Sequence, residues 1–391
     1  MTVAKITTLI IGNGLDIAID MRTRYVDFYK SLKDVKTTNT SEIQFLHKIR
    51  DYLDDMDGLE FWTDLEVALC GDFSLEFRTI NQYLDAYRYA VKLLNEYLRK
   101  EFDEIDWTQT MSDNTAVVEF LDSLLNFTDR LADDVIKNAL RKQLPPYERE
   151  HNIVVLNYTD VIKSLLKIQA VDTARLNAII NVLHLHGKID EYITVGAGTF
   201  DKDIANKFPE DEQIKKIVNK SEYRNIVSRR AKPGSNDNPH NYDDLAACLK
   251  KSDIVAIYGT SLGSSDKTLW AYVLKWFISD KSHKLIIFVY DNELRLGNGQ
   301  PTIFDDPVKV IEELAELDKN DARKQKLKKE YEDKIFAYAD EMNINGCVDG
   351  QCLNENKENE CNGHGFPCKA KRKHYFIDFD ATLFNFKVKR K

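Results

Sequence analysis

The sequence predicts an α/β fold, a parallel sheet covered by helices, with a large helical insertion and a C-terminal appendage. Three observations predict it. Short, near-continuous apolar runs recur along the chain, and each ends in glycine or polar residues, the pattern of parallel strands buried on both faces. Between about Ser41 and about Leu144 the pattern changes to helical periodicity. Beyond about residue 300 the composition turns to charge and cysteine. At 391 residues the chain exceeds what one compact core usually takes. It divides on this reading into an α/β domain over 1–295, with the insertion at about 41–146, and an appendage over 300–391.

The first strand is the organising element. Leu9-Ile10-Ile11 stops at Gly12-Asn13-Gly14-Leu15-Asp16, and a helical segment follows. Glycines at 12 and 14 remove the β-carbons that would keep the backbone from a ligand. Asp16 stands near a helix start, where a carboxylate caps the helix or holds a ligand hydroxyl. Ile17 occupies the place where the usual dinucleotide loop has a third small residue. Thr23-Arg24-Tyr25-Val26-Asp27-Phe28 is read as continuing this first helical region.

In the insertion, Phe45, Ile49, Tyr52 and Leu53 form one helical stripe, and Tyr83, Tyr87, Ala90, Leu94 and Tyr97 another. Such stripes are core faces. The acidic residues of Phe61-Trp62-Thr63-Asp64-Leu65-Glu66 read as a solvated helix face. Pro145-Pro146 closes the region with an extended exit.

Four more strands follow. Ile153-Val154-Val155-Leu156 ends in Asn157-Tyr158-Thr159-Asp160, and Val182 to His186 ends in Gly187. Ile254 to Tyr258 ends in Gly259-Thr260-Ser261-Leu262-Gly263, and Leu285 to Tyr290 ends in Asp291-Asn292-Glu293. In parallel sheets ligands bind beyond the carboxyl ends of the strands, so all five polar ends, the first included, face one crevice. His184 and His186, two apart, fall on one strand face. His186, next to Gly187, is the candidate for chemistry, and His184 for a hydrogen bond inside the core.

Ser228 to Asp243 reads as a surface loop, and Val310 to Met342 as a long charged helix with a solvated face. Tyr375 to Phe379 is a last strand, and Lys387 to Lys391 an exposed basic tail. Four of the six cysteines lie between Cys347 and Cys368. Cys347, Cys352, Cys361 and Cys368, with His364, have spacings near those of a structural zinc site. A polar loop with free thiols is the competing reading.

The formal net charge of −9 gives no sign of a general nucleic-acid binder. No apolar run approaches a membrane span, and the early apolar run is too short for a signal peptide. The expectation is a soluble cytoplasmic protein.

Taken in order, the strand ends resemble those of the sirtuin family of NAD-dependent enzymes. That family's succession is a Gly-Ala-Gly loop, an Asn-Ile-Asp strand end, a His-Gly, a Gly-Thr-Ser-Leu and a late Asn before an acidic residue. The opening, Gly12 to Asp16 with Thr23 to Phe28 and Trp62 to Glu66, is similar to the bacterial AbiH family, named for abortive infection by phage. This likeness spans roughly residues 6 to 293. It implies a Rossmann-like, sirtuin-like sheet and an anti-phage protein that hydrolyses NAD+ to nicotinamide and ADP-ribose. By the resemblance, Asn157 and His186 are catalytic. Gly12, Asn13, Gly14, Asp16, Gly259, Thr260, Ser261, Asp266 and Asn292 surround the cofactor-sized substrate.

Thr159 stands where sirtuins place the Asp that holds the carboxamide. The interval that carries the sirtuin deacylases' four-cysteine zinc module has Cys248 as its one cysteine, which disfavours deacetylation. The expected partners are NAD+ or a related nucleotide, a phage-derived trigger and further copies of the chain. A non-catalytic NAD or ADP-ribose sensor is the alternative. A nucleic-acid-acting effector comes third, resting on the basic residues at Arg372-Lys373 and in the tail.

Overall fold

The computed structural model describes residues 5–55, 65–70, 77–111, 114–130, 138, 140, 149–166, 178–189, 191–193, 195, 241–260, 266–280, 282–288, 347–348, 351–352, 375–378 and 389–391. Five parallel strands form the centre: β1 (Lys5–Ile11), β2 (Arg149–Val155), β3 (Ile179–His184), β4 (Ile254–Tyr258) and β5 (Lys284–Phe288). A sixth, β6 (Tyr375–Asp378), joins at the edge beside β5. The order across the sheet is β6-β5-β4-β1-β2-β3, all parallel. The first strand is thus central, and the winding direction reverses between β1 and β4.

One row of paired residues crosses the whole sheet at its carboxyl edge. It runs Asp378, Phe288, Tyr258, Ile11, Val155, His184. The described residues that follow β1, β2, β3 and β4 therefore emerge on one side, as their sequence pattern predicts, while 291–293 lie outside the described residues. Val-, Ile- and Leu-rich β1, β2 and β4 are buried almost throughout because helices cover both faces.

Between β1 and β2 lie α1 (Gly14–Ala18), α2 (Tyr25–Ser31), α3 (Thr40–Asp55), α4 (Leu65–Cys70), α5 (Ile80–Asp103), α6 (Trp107–Met111) and α7 (Asn114–Leu125). After β2 come α8 (Val161–Leu166), α9 (Asn241–Lys251) and α10 (Lys267–Ser279). Helix α5 starts on a full capping box, with Thr79 accepting from the Gln82 N–H and the Gln82 side chain accepting from the Thr79 N–H.

Two cores result. The sheet core joins β1, β2, β4 and β5 to α7, α9 and α10. A second core forms among α2, α3, α4 and α5 and includes Tyr158, Ile189 and Ile193 from the strand-end side. The predicted stripes supply it: Phe45, Ile49, Tyr83, Tyr87, Ala90 and Leu94 are buried. The helical layer thus roofs the carboxyl edge of the sheet.

Several expectations change. The first helical region is not continuous, because α1 ends at Ala18 and Asp20, at φ 77, turns the chain before α2. β3 ends at His184, so His186 lies in a turn beyond the strand and does not share its face. Asn241 to Asp243 belong to α9 rather than to a loop. The end of the chain is anchored, not merely exposed. Asp106 N–H donates to the Lys389 carbonyl at 2.8 Å, and Arg390 pairs with Glu101 at 2.9 Å and Glu104 at 3.1 Å. The charged segment 310–342, the tail residues 387–388 and the proline pair at 145–146 lie outside the described residues. No helix among the described residues is long and apolar enough to cross a membrane.

Candidate functional site

The site is built where β1, β2 and β4 end. Gly12 N–H donates to the Tyr258 carbonyl at 2.8 Å and Gly14 N–H to the Gly259 carbonyl at 2.7 Å. The loops after β1 and β4 are therefore in direct backbone contact. A β-carbon on Gly14 would stand 2.3 Å from Gly259 Cα, and one on Gly12 2.5 Å from the Gly259 oxygen. Gly259 itself has φ +65, which only glycine adopts without strain. The space a β-carbon would take at these glycines is occupied by the neighbouring loop.

Asn13 faces sideways. Its Nδ2 donates to the Thr23 carbonyl at 2.9 Å, and the Thr23 hydroxyl donates to its Oδ1 at 2.7 Å. It thereby pins the turn between α1 and α2 that begins the AbiH-like Thr23 to Phe28 stretch.

Asp16 is 1% exposed. It makes no helix cap; Asn13 is the N-cap of α1, and its side chain bonds to Thr23 instead of capping the helix. Instead Asp16 Oδ1 accepts from Asn157 Nδ2 at 2.9 Å, and Oδ2 accepts from the Thr159 hydroxyl at 2.6 Å. Burial pushes its carboxyl up to about 7, and the hydrogen bonds from Thr159 and Asn157 oppose that rise. Thr159 is committed to Asp16. The other end of the Asn157 amide, Oδ1, is buried and has no hydrogen-bond partner among the described residues.

Asn157 and His186 each lie two residues past the Val155–His184 rung, on neighbouring strand ends. Both are buried, 6% and 3% exposed. His186 Nε2 stands 3.1 Å from Asp266 Oδ1, at the start of α10. Asp266 and His186 thus come together from separate strand ends, beside the Asn157 segment. His184 takes a different partner, with its Nε2 3.1 Å from Asp160 Oδ1. Burial works to raise Asp160, but the hydrogen bond and charge of His184, with Lys188 and Lys163, hold it below the usual carboxylate range.

Glu66 is the residue the sequence reading missed. It is 5% exposed, not on a solvated face. Tyr158 donates its phenol to Glu66 Oε1 at 2.5 Å, tying the end of β2 to α4 of the roof. Burial first, then the Glu66 charge, hold the Tyr158 phenol well above its usual range; Tyr25 and Asp266 add to this. Residues of the Trp62 to Glu66 and Thr23 to Phe28 stretches thus meet the Asn157 strand end in one electrostatic neighbourhood. The signal lay in the motif, since helix periodicity alone does not say which neighbour a face meets.

Gly259 and Thr260 stand at the β4 end, while Ser261 and Asn292 lie outside the described residues. Cys347 and Cys352 face each other across a two-rung antiparallel ladder. Cys361, His364 and Cys368 lie outside the described residues. No group of three metal-ligating side chains occurs among the described residues.

No curated protein matches the chain. The family model "Bacteriophage abortive infection AbiH" matches residues 8–288, more than half of its length, and spans β1 to the end of β5. The ends of β1 to β4, the Asn13–Thr23 turn and the Glu66–Tyr158 bond all lie within that match, and the chain belongs to the bacteriophage abortive infection AbiH family, with a role in abortive infection.

Proposed function

We propose that this protein serves abortive infection by hydrolysing NAD+ to nicotinamide and ADP-ribose. One observation carries the reading: a buried Asn157, whose carbonyl oxygen has no partner among the described residues, and a buried His186 beside Asp266 follow adjacent strands at the carboxyl edge of the sheet. The strand order supports it. Counted along the chain the six strands run 3-2-1-4-5-6, the order of doubly wound sheets that bind dinucleotides at the reversal point. Here that point is the β1–β4 contact, against Asp16 and Asn157.

In the reaction the C1′–N bond to nicotinamide breaks and its electron pair leaves with nicotinamide. The oxygen of water bonds to C1′, and one proton is released. Imidazole is the side chain suited to take that proton near neutral pH. His186 takes it, and Asp266 stabilises the imidazolium. Asn157 orients a ribose hydroxyl or the water without adding charge. Substrate access to such a closed site requires a gate, which an infection-derived trigger or self-association supplies.

The test is nicotinamide release from NAD+ by the purified full chain, beside Asn157→Ala and His186→Ala. Release that both substitutions abolish, with the fold intact, supports the proposal. Release that survives both overturns the assignment of residues. The closed burial of Asn157 and His186 favours a second reading, a sensor that binds NAD+ or ADP-ribose without turnover. Calorimetric binding with no release in any condition selects it.

A further inference from the structure

The geometry points to Asp16 as a positioning residue: by taking Nδ2 of Asn157, it turns Oδ1 of that amide outward as a hydrogen-bond acceptor for the hydroxyl group, of ribose or water, on which the site acts. This deepens the NAD-cleaving reading and rests on it for the identity of the hydroxyl.

An asparagine side chain has two polar ends of nearly equal shape, and only its partners decide which end points where. Asp16 makes that decision. An ionised carboxylate is acceptor-only, so the amide must present its nitrogen. Both Asp16 oxygens are used, one by Asn157 and one by Thr159, two residues apart on the β2 end. The carboxylate is therefore held against rotation. The remaining Asn157 oxygen is buried and unpartnered among the described residues. A buried carbonyl oxygen without a donor is costly, and this one is suited to accept a hydrogen bond from a ligand. A hydroxyl or water meets that need, whereas a carboxamide carbonyl or a phosphate oxygen does not.

The other titratable groups at these strand ends are His186 with Asp266, from β3 and α10, Tyr158 with Glu66, from β2 and α4, and His184 with Asp160 and Lys188, at the ends of β2 and β3. None of them contributes to the Asp16 shift, whose causes are burial, Thr159 and Asn157. Asp16→Asn keeps the shape and removes the charge. Its own amide accepts from one of the two donors only, so the Asn157 orientation is no longer dictated.

Two measurements on the full chain test this. The first is the kcat and KM of nicotinamide release against pH for wild type and Asp16→Asn. The expected result is a kcat lower by about 100-fold with little change in KM, and a pH profile changed from that of wild type by the loss of the Asp16 titration. Wild-type kcat in Asp16→Asn overturns the assignment. The second needs no activity. In protein labelled with ¹⁵N at asparagine, the Asn157 side-chain amide signal is identified by its loss in Asn157→Asp. It should move with a midpoint of about 7 in wild type and lose that movement in Asp16→Asn. A signal that stays fixed between pH 5 and 9 in wild type overturns the assignment even where Asp16→Asn does not fold. A signal that tracks Asp16 in a protein that releases no nicotinamide overturns the NAD reading alone.

Discussion

Gly14 and Gly259 are in backbone contact, with the Gly14 N–H donating to the Gly259 carbonyl at 2.7 Å across the reversal point of the sheet. Asp16 lies two residues beyond Gly14, just past one of the two loops this contact joins. Gly14→Ala places a β-carbon 2.3 Å from Gly259 Cα, where backbone cannot give way cheaply. The expected loss is about 3 kcal/mol or more, read as a lower urea midpoint. Gly259→Ala adds the strain of φ +65 and should do at least as much harm. An unchanged midpoint in either variant would show that the loops separate freely.

Asp16 makes stability fall as pH rises. Its folded-state value is raised from 3.8 to about 7, so between those values the folded form holds a proton that the unfolded chain has lost. The favourable contribution is whole below pH 3.8, declines through the window and is gone above pH 7. The full effect is on the order of 4 kcal/mol. Denaturation of Asp16→Asn from pH 4 to 8 should lack this decline. A constant offset from wild type at every pH would contradict it.

His151 acts in the opposite sense. It is buried under the sheet, its Nδ1 2.7 Å from the Thr7 hydroxyl oxygen, and burial with the nearby Arg149 charge lowers it from 6.5 to about 4. The unfolded chain therefore binds the proton first, and stability is lost as pH falls from 6.5 to 4. The loss is on the order of 3 kcal/mol. His151→Gln should abolish this acid-side slope; a slope equal to wild type would place its origin elsewhere.

Tyr158 and Glu66 form a buried pair linking sheet and roof. Tyr158→Phe leaves Glu66 buried without its phenol donor and should lower stability by about 1–3 kcal/mol. Combining it with Glu66→Gln should recover part of that, because a neutral amide is cheaper to bury. A double-mutant cycle measures the coupling, and a value near zero would mean that the pair does not hold the roof down.

Arg390 pairs with buried Glu101 and with more exposed Glu104. Arg390→Ala strands the buried carboxylate and should lower the thermal midpoint, by about 1–3 kcal/mol in stability terms. Glu104→Ala should change it little, since a half-exposed pair contributes little. Equal effects of the two substitutions would contradict the burial argument.

The sheet was legible because β-branched runs that stop at glycine or asparagine leave few alternatives. The aromatic stripes of α3 and α5 were legible for the same local reason. What escaped the sequence was whatever depends on a distant partner. Asp16 read as a helix cap or a ligand contact because its partner in the fold, Asn157, lies 141 positions away. Glu66 read as solvated because periodicity says nothing of Tyr158, 92 positions on. His186 read as a strand residue because the apolar run does not reveal that pairing stops at His184. The basic tail read as exposed because Arg390 finds Glu101 289 positions earlier.

The central place of β1 also sets how the chain must be born. Lys5 pairs with Arg149 and Thr7 with Ile254, so β1 is made well before either of the strands that flank it. At ribosomal speeds of about 5–20 residues per second, β1 waits on the order of ten seconds for β2 and longer for β4. Through that interval a buried strand of Leu9, Ile10 and Ile11 has an unpaired edge, the template on which chains aggregate. Synthesis halted before Ile254 therefore yields an insoluble fragment, and slower growth at low temperature, with chaperones in excess, raises the yield of the whole chain.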